Sequence, residues 1–391
     1  MHSHNSGRIL TTHVGSLPRP QAVVDVLFAE DRGENVERQT YDEVMRSAVN
    51  ECVAKQVVSG VDVVSDGEMS KISYATYIRH RLSGFEVGEV PRATPKDLDD
   101  YPSFKDRLAK LGATPKYNRP ICRGEVKVKD LSSLHRDIER LKAAALAQGA
   151  PQSFMNAASP GVIAVFQPNE FYPSHEAYLF ALAEAMRTEY ETIAGAGLLL
   201  QIDSPDLAMG RHIKFRDVDD GTFLKNAELQ IEALNHALRN VPQDRIRMHV
   251  CWGNYEGPHH YDIALKAIAP AVLKSKVRYL LIEGANPRHG HEWAVWQEIK
   301  LPDDKVLVPG VIDSVNNFIE HPALVAERLI RLANIVGAER VMAGSDCGFG
   351  TFAGFGAVHP DIAYAKLEAM AEGAAIATEA LRQTASSRQG P

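Results

Sequence analysis

The chain has 391 residues and a net charge of −7, with 45% hydrophobic and 24% charged residues. These proportions exclude a disordered or fibrous chain, and the mild acidity argues against a nucleic acid or an anionic membrane surface as the main partner. No apolar run is long enough to span a membrane, and the first seven residues, MHSHNSG, lack the layout of a signal peptide, so the cytoplasm is the expected compartment. Four cysteines, Cys52, Cys122, Cys251 and Cys347, are too few to staple a chain of this size, which leaves burial, metal binding or catalysis as their uses.

In chain order, β-branched and aliphatic runs predict strands at Ile9 to Gly15 (ILTTHVG), Val61 to Asp66 (VDVVSD), Phe154 to Ser159 (FMNAAS) and Leu198 to Asp203 (LLLQID). Four more follow at Ile246 to Cys251 (IRMHVC), Tyr279 to Glu283 (YLLIE), Val306 to Asp313 (VLVPGVID) and Arg340 to Cys347 (RVMAGSDC). Segments with apolar residues three to four apart lie between most of them, such as Ala177 to Ala194 and Leu324 to Val336, and predict amphipathic helices. Eight alternating units imply a parallel sheet closed into a (β/α)8 TIM barrel, here one catalytic domain over the whole chain. The stretch from about Ser70 to Ala150 breaks the rhythm. It is rich in Pro, Lys, Arg and Asp, and Ile121 to Lys129 (ICRGEVKVK) resembles a hairpin arm, so it is expected to be an insertion between the second and third units. The first seven residues and the tail from Ala385 are expected to be mobile.

The loops that leave barrel strands at their C-terminal ends converge on one face, where active sites are built. Nearly every predicted strand ends there in a chemically capable group: His13, Gly15 and Ser16; Asp66 and Glu68; Asn156 and Ser159; Asp203; His249 and Cys251; Glu283; Asp313; Asp346 and Cys347. Strand side chains alternate, so His249 and Cys251, two apart, share a side and can hold one ion. Glu283 and Cys347 end later strands and could complete the shell. Two thiolates, an imidazole and a carboxylate suit Zn2+.

At these residues the sequence resembles the catalytic barrel of cobalamin-independent methionine synthase. The likeness runs from Thr11 (TTHVGSLPRP) through DVVSDGE, QIDSPDL, HVC, IEG and GVID to DCG, which begins at Asp346. It is similar to the single-barrel branch, which also includes the epoxyalkane:coenzyme M transferases. The resemblance implies zinc ligands at His249, Cys251, Glu283 and Cys347, and homocysteine contacts at Gly15, Ser16, Glu68 and Asp203. One match fails: the family's proton donor is a histidine two residues after the Asp of the G-V-x-D strand, and Val315 stands there. The region that would contact the folate tail, Leu207 to Arg211, also lacks a clear counterpart.

The chemistry expected is alkylation of a thiol. A thiol is mostly protonated at neutral pH, and coordination to zinc removes its proton. Two anionic cysteines leave the ion near neutral, so a zinc-bound thiolate keeps enough electron density to attack carbon, whereas three neutral histidines would favour water activation. Glu283 is the ligand expected to yield. The leaving group needs an acid, for which His13, His289, His291, His259 and His260 are candidates; the loop of His289 and His291 follows the Glu283 strand and is the one expected to reach the mouth, and Asp313 is a further candidate catalytic residue. Arg19 and Arg211 are candidate partners for a substrate carboxylate or sulfonate. The preferred reaction is methyl transfer from a methyl-folate to homocysteine. The alternative is alkylation of another thiol, such as coenzyme M by an epoxide. A metal-dependent hydrolase built on His289 and His291 is a rival of another class, as is a binding protein with structural zinc. The expected partners are therefore a small-molecule thiol and an alkyl or methyl donor, with no nucleic acid and no membrane.

Overall fold

The computed structural model describes residues 7–88, 94–111 and 119–388. Its strands are β1 (Val63–Ser65), β2 (Phe85–Gly88), β3 (Arg119–Cys122), β4 (Gln152–Ala158), β5 (Leu199–Asp203), β6 (Ile246–Val250), β7 (Tyr279–Ile282), β8 (Val306–Ile312) and β9 (Gly344–Ser345). Seven of them form one parallel sheet in the order β1-β4-β5-β6-β7-β8-β9, so sequential strands are neighbours apart from the passage from β1 to β4. The predicted first strand pairs at a single bridge, Thr11 to Ala343. Its backbone nevertheless joins both edges of the sheet. Thr12 N donates to Ala343 O at 2.9 Å and Ala343 N to Leu10 O at 2.8 Å, while Asp62 N and Val63 N both donate to Thr11 O at 3.1 Å. The result is a curled parallel sheet compatible with a (β/α)8 barrel.

Between β1 and β4 the chain builds a separate antiparallel pair, β2 with β3, in which Phe85 faces Cys122. The strand expected over Ile121 to Lys129 runs from Arg119 to Cys122 instead. The helices predicted from periodicity are present as His175–Gly195, capped by Ser174 Oγ accepting from Ala177 N, and Pro322–Val336, with proline in its first turn. The tail expected to be mobile begins inside helix Pro360–Arg388, and residues 389–391 and 1–6 lie outside the described residues. Among the described residues no helix is long and apolar enough to cross a membrane.

Strand alternation sorts the core into two layers. Val63, Phe154, Leu199, Tyr279, Leu281, Val306, Val308 and Met342 pack together with Val14 inside the curl of the sheet. Their neighbours Val64, Met155, Leu200, Ile202, Met248, Val250, Leu280, Ile282 and Leu307 belong to the larger cluster between sheet and helices. The same parity carried toward the strand C-termini puts Asn156, Gln201, Asp203, Arg247, His249, Cys251 and Glu283 on the inner side. The interior is thus apolar at one end and polar at the other. Because a buried polar group without a partner costs about 1–3 kcal/mol, the polar end is where function is to be sought.

Candidate metal and substrate site

Three of the four proposed ligands converge. One donor atom each from His249, Cys251 and Cys347 lies within 4.8 Å of the other two. The two sulfurs are 3.6 Å apart, a contact between free thiols and not a disulfide. His249 is buried, and neither ring nitrogen reaches hydrogen-bond geometry, although the ring faces the Cys251 thiol and the Leu281 backbone. An imidazole buried with both nitrogens unused, beside two thiols, fits a bound cation, and the sulfur-rich donor set fits zinc. Gly253 N donates to Cys251 Sγ at 3.3 Å. The contact with Cys347 and then burial push the Cys251 thiol well above its usual pKa, so ionising this sulfur calls for a cation beside it.

The fourth residue, Glu283, stands outside this group of three. It is buried at the end of β7, with Oε1 accepting from Trp252 N at 2.8 Å and Oε2 from Asn286 Nδ2 at 2.9 Å. Burial first, then the neighbouring Cys251, push its pKa well above the usual carboxylate range. Asp346, next to Cys347, spends both oxygens on the loop after Glu283: Gly284 N, Ala285 N and Asn286 N donate at 2.8 Å, and Asn286 Nδ2 at 2.9 Å.

The residues expected to hold an amino acid line the adjoining strand ends. Asp203 pairs in register with His249 across β5 and β6, and accepts from Asn156 Nδ2 at 2.9 Å and Gln201 Nε2 at 3.1 Å. Gly15 has φ +142°, and a Cβ on it would fall 2.3 Å from Asn156 Oδ1. Ser16 faces the turn after Cys347: Phe349 N donates to Ser16 O at 2.8 Å, and a Cβ on Gly348 would sit 2.0 Å from Ser16 Oγ. Among the described residues Glu68 is one of two non-glycine residues with positive φ, at 55°, a strained backbone of the kind found where a side chain must be aimed. Its Oε2 is buried without a hydrogen bond, 3.7 Å from Lys71 Nζ. Lys71 itself donates to Asn156 O at 2.7 Å. Sequence reasoning passed over Lys71 and Asn286. The run DGEMSK and the triplet spacing of IEGAN were the available signals.

The proposed acids fare differently. His13 Nε2 is 2.8 Å from Gln56 Oε1, and its Nδ1 accepts from Gly15 N at 3.2 Å. Burial pushes its pKa down to about 4, which leaves a neutral ring whose one N–H faces Gln56 Oε1, a poor acid at neutral pH. His289 is buried rather than reaching into the mouth: Nδ1 is 2.8 Å from Glu292 Oε2 and Nε2 3.0 Å from Asp262 Oδ2. Burial alone would lower its pKa, but the two carboxylates outweigh it and raise the value to about 10, which makes a fixed cation and a poor acid. His291 is exposed. His259 also binds Asp262, through Nδ1 at 2.8 Å, and His260 binds Asp100 at 2.8 Å. Asp313 is buried, with Oδ1 accepting from Val315 N at 2.7 Å and Oδ2 from Asn316 Nδ2 at 2.6 Å, and burial and then Asp346 raise its pKa. Arg19 is spent on the carbonyls of Glu68 and Gly350, and Arg211 on Asp220 and Phe215 O, so neither is presented to a substrate.

Fold and site together define an α/β protein with a curled parallel sheet that gathers imidazole, thiol and carboxylate groups at its strand C-termini. The resemblance carried by the motifs is shown by comparison with known proteins: residues 9–90 match the family model of the cobalamin-independent synthase catalytic domain. The methionine synthase of Sulfolobus acidocaldarius is 25% identical over 374 residues, covering 95% of this chain and 93% of that protein. That of Saccharolobus solfataricus is 25% identical over 378 residues, covering 95% and 96%. Among solved structures, a B12-independent methionine synthase from a Shewanella species superposes with a TM-score of 0.73 at 18% identity, covering 96% of this chain and 99% of that one. A putative vitamin-B12 independent methionine synthase from Listeria monocytogenes gives 0.65 at 18%, covering 94% and 98%. The similarity to these methionine synthases extends over nearly the whole chain, at 25% identity.

Proposed function

We propose that this protein is a cytoplasmic, zinc-dependent transferase that alkylates a thiol, and that it methylates homocysteine to methionine from a methyl-folate donor. The observation that carries the reading is the buried set of His249, Cys251 and Cys347, with both nitrogens of His249 unused. Glu283 supplies the fourth, exchangeable ligand. Zinc held by these residues would lower the pKa of a bound thiol, so that its proton leaves to solvent and the sulfur remains as a nucleophilic thiolate. The chain's own groups do the rest. Glu68 and Asp203 receive the ammonium of the amino acid, and Lys71 keeps the two carboxylates from repelling each other. Gly15 and Ser16 receive the carboxylate. Asp313, raised in pKa by its burial, holds the proton for the leaving group, since His13 and His289 cannot. The methionine synthases among the relatives support homocysteine as the acceptor.

A second thiol acceptor, coenzyme M with an epoxide, is supported by one feature: Val315, whose N–H binds Asp313, occupies the position where the family has its proton-donating histidine. A hydrolase built on His289 and His291 gains no support, because one ring is buried between carboxylates and the other is exposed. Product formation from homocysteine with methyl-folate, compared with coenzyme M and epoxypropane, distinguishes the two transferases. Zinc-edge X-ray absorption with and without thiol tests the class: the proposal requires a new zinc–sulfur contact, and a closed site unresponsive to thiols would leave only a structural role.

A further inference from the structure

We propose that Asn286 is a positioning residue that keeps Glu283 a weak, removable fourth ligand; the inference rests on the metal-site reading above. Both oxygens of Glu283 are engaged, Oε1 by the Trp252 backbone N–H and Oε2 by Asn286 Nδ2. The carboxylate stands outside the group formed by His249, Cys251 and Cys347. A carboxylate oxygen that accepts a hydrogen bond has less electron density to give to a cation, so these two bonds hold Glu283 back relative to the thiolates.

Asn286 is itself immobilised. Its Nδ2 also donates to Asp346 Oδ2 at 2.9 Å, and its backbone N to the same oxygen at 2.8 Å. Its Oδ1 accepts from Arg288 N at 3.1 Å and His289 N at 3.0 Å. Capping the turn requires only the oxygen. The NH2 side is spent on two carboxylates at once, and an amide donor is what lets those oxygens lie side by side. Since Asp346 precedes Cys347, the one amide couples the end of β7, which carries Glu283, to the end of β9, which carries Cys347.

Asn286→Asp retains an oxygen to cap the turn and removes the donor, while Asn286→Ala controls for the added charge. Zinc-loaded wild type and variants are compared by chelator competition for zinc, by the zinc-edge oxygen and sulfur count before and after homocysteine, and by melting temperature. Both variants should keep an oxygen ligand that wild type gives up when the thiol is added. Their half-saturation concentration for the thiol should rise about 10-fold, the equivalent of one net hydrogen bond, with zinc held no more weakly than by wild type. Ligand counts and thiol affinity equal to wild type, with only a lower melting temperature, would reduce Asn286 to a loop cap and overturn the proposal. Weaker zinc binding with an unchanged thiol response would overturn it as well. A wild-type protein that binds no zinc, or gains no sulfur with the thiol, refutes the metal-site reading itself, and does so before any variant is measured.

Discussion

Gly15 sits where the polar end of the interior is tightest. Asn156, against which a Cβ at Gly15 would press, cannot step aside without giving up its bonds to Val14 O and Asp203. Gly15→Ala therefore combines a strained φ with overpacking, and should cost about 3 kcal/mol in denaturant unfolding. It should also weaken thiol binding by displacing Asp203; an unchanged unfolding midpoint would refute the crowding argument. Asp206 poses a different test. It is buried, with Ser159 Oγ donating to Oδ1 at 2.6 Å, and burial pushes its pKa up to about 7. As pH rises from about 4, the unfolded chain releases this proton before the folded protein does, so stability falls until about pH 7 and is level above it. The window is worth about 4 kcal/mol at most. Asp206→Asn removes the titration, so its melting temperature should gain on that of wild type across this window and hold the gain at higher pH. A gap independent of pH would show that the carboxyl ionises normally.

At the scale of elements, the loop between β6 and β7 is organised by one buried carboxylate. Asp262 lies 3.0 Å from His212 Nδ1, 2.8 Å from His259 Nδ1 and 3.0 Å from His289 Nε2. Burial opposes its ionisation, but the three imidazoles hold its pKa well below the usual range. His289 in turn lies against Trp252, ring centroids 4.4 Å apart, and the Trp252 N–H binds Glu283. Asp262→Asn takes one of two carboxylates from His289, leaving it Glu292, and removes the carboxylate shared with His212 and His259, and should cost about 3 kcal/mol. Hydrogen exchange should then quicken in residues 252–263 before the rest of the sheet, and uniform protection would contradict this account. None of this network was legible in the sequence, because its members sit in irregular loops where no periodicity says which side chains meet. For that reason the sequence offers His289 as an acid at the mouth, whereas the structure buries it between Asp262 and Glu292. The ligands were legible because strand alternation is a local rule: His249 and Cys251, two apart on one strand, share a face whatever the loops do. Asn286 falls between these cases, since its spacing from Glu283 is local but its bond to Asp346 depends on β9 lying near β7.

At the scale of the molecule, the proposed donors come from three different strand ends, β6, β7 and β9, brought together only when the sheet curls. The closing contacts run through one short segment: backbone bonds join Leu10 and Thr12 to Ala343 on one edge and Thr11 to Asp62 and Val63 on the other, and Ile9 N donates to Thr378 Oγ1 of the C-terminal helix at 3.0 Å. An ion that binds the folded chain through such donors stabilises it by mass action, because the unfolded chain holds them far apart. At free zinc about 1,000-fold above the dissociation constant the gain is about 4 kcal/mol. The melting temperature of metal-free protein should therefore climb with added zinc. Cys251→Ser should abolish both that climb and thiol alkylation, while the metal-free variant unfolds within about 1 kcal/mol of metal-free wild type, the exchange of one small buried side chain for another being a minor perturbation. The comparison separates the metal's share of stability from the core's. A variant that still melts higher with zinc and still turns over would place the ion elsewhere, and a metal-free variant that fails to fold would make Cys251 a core residue first and a ligand second.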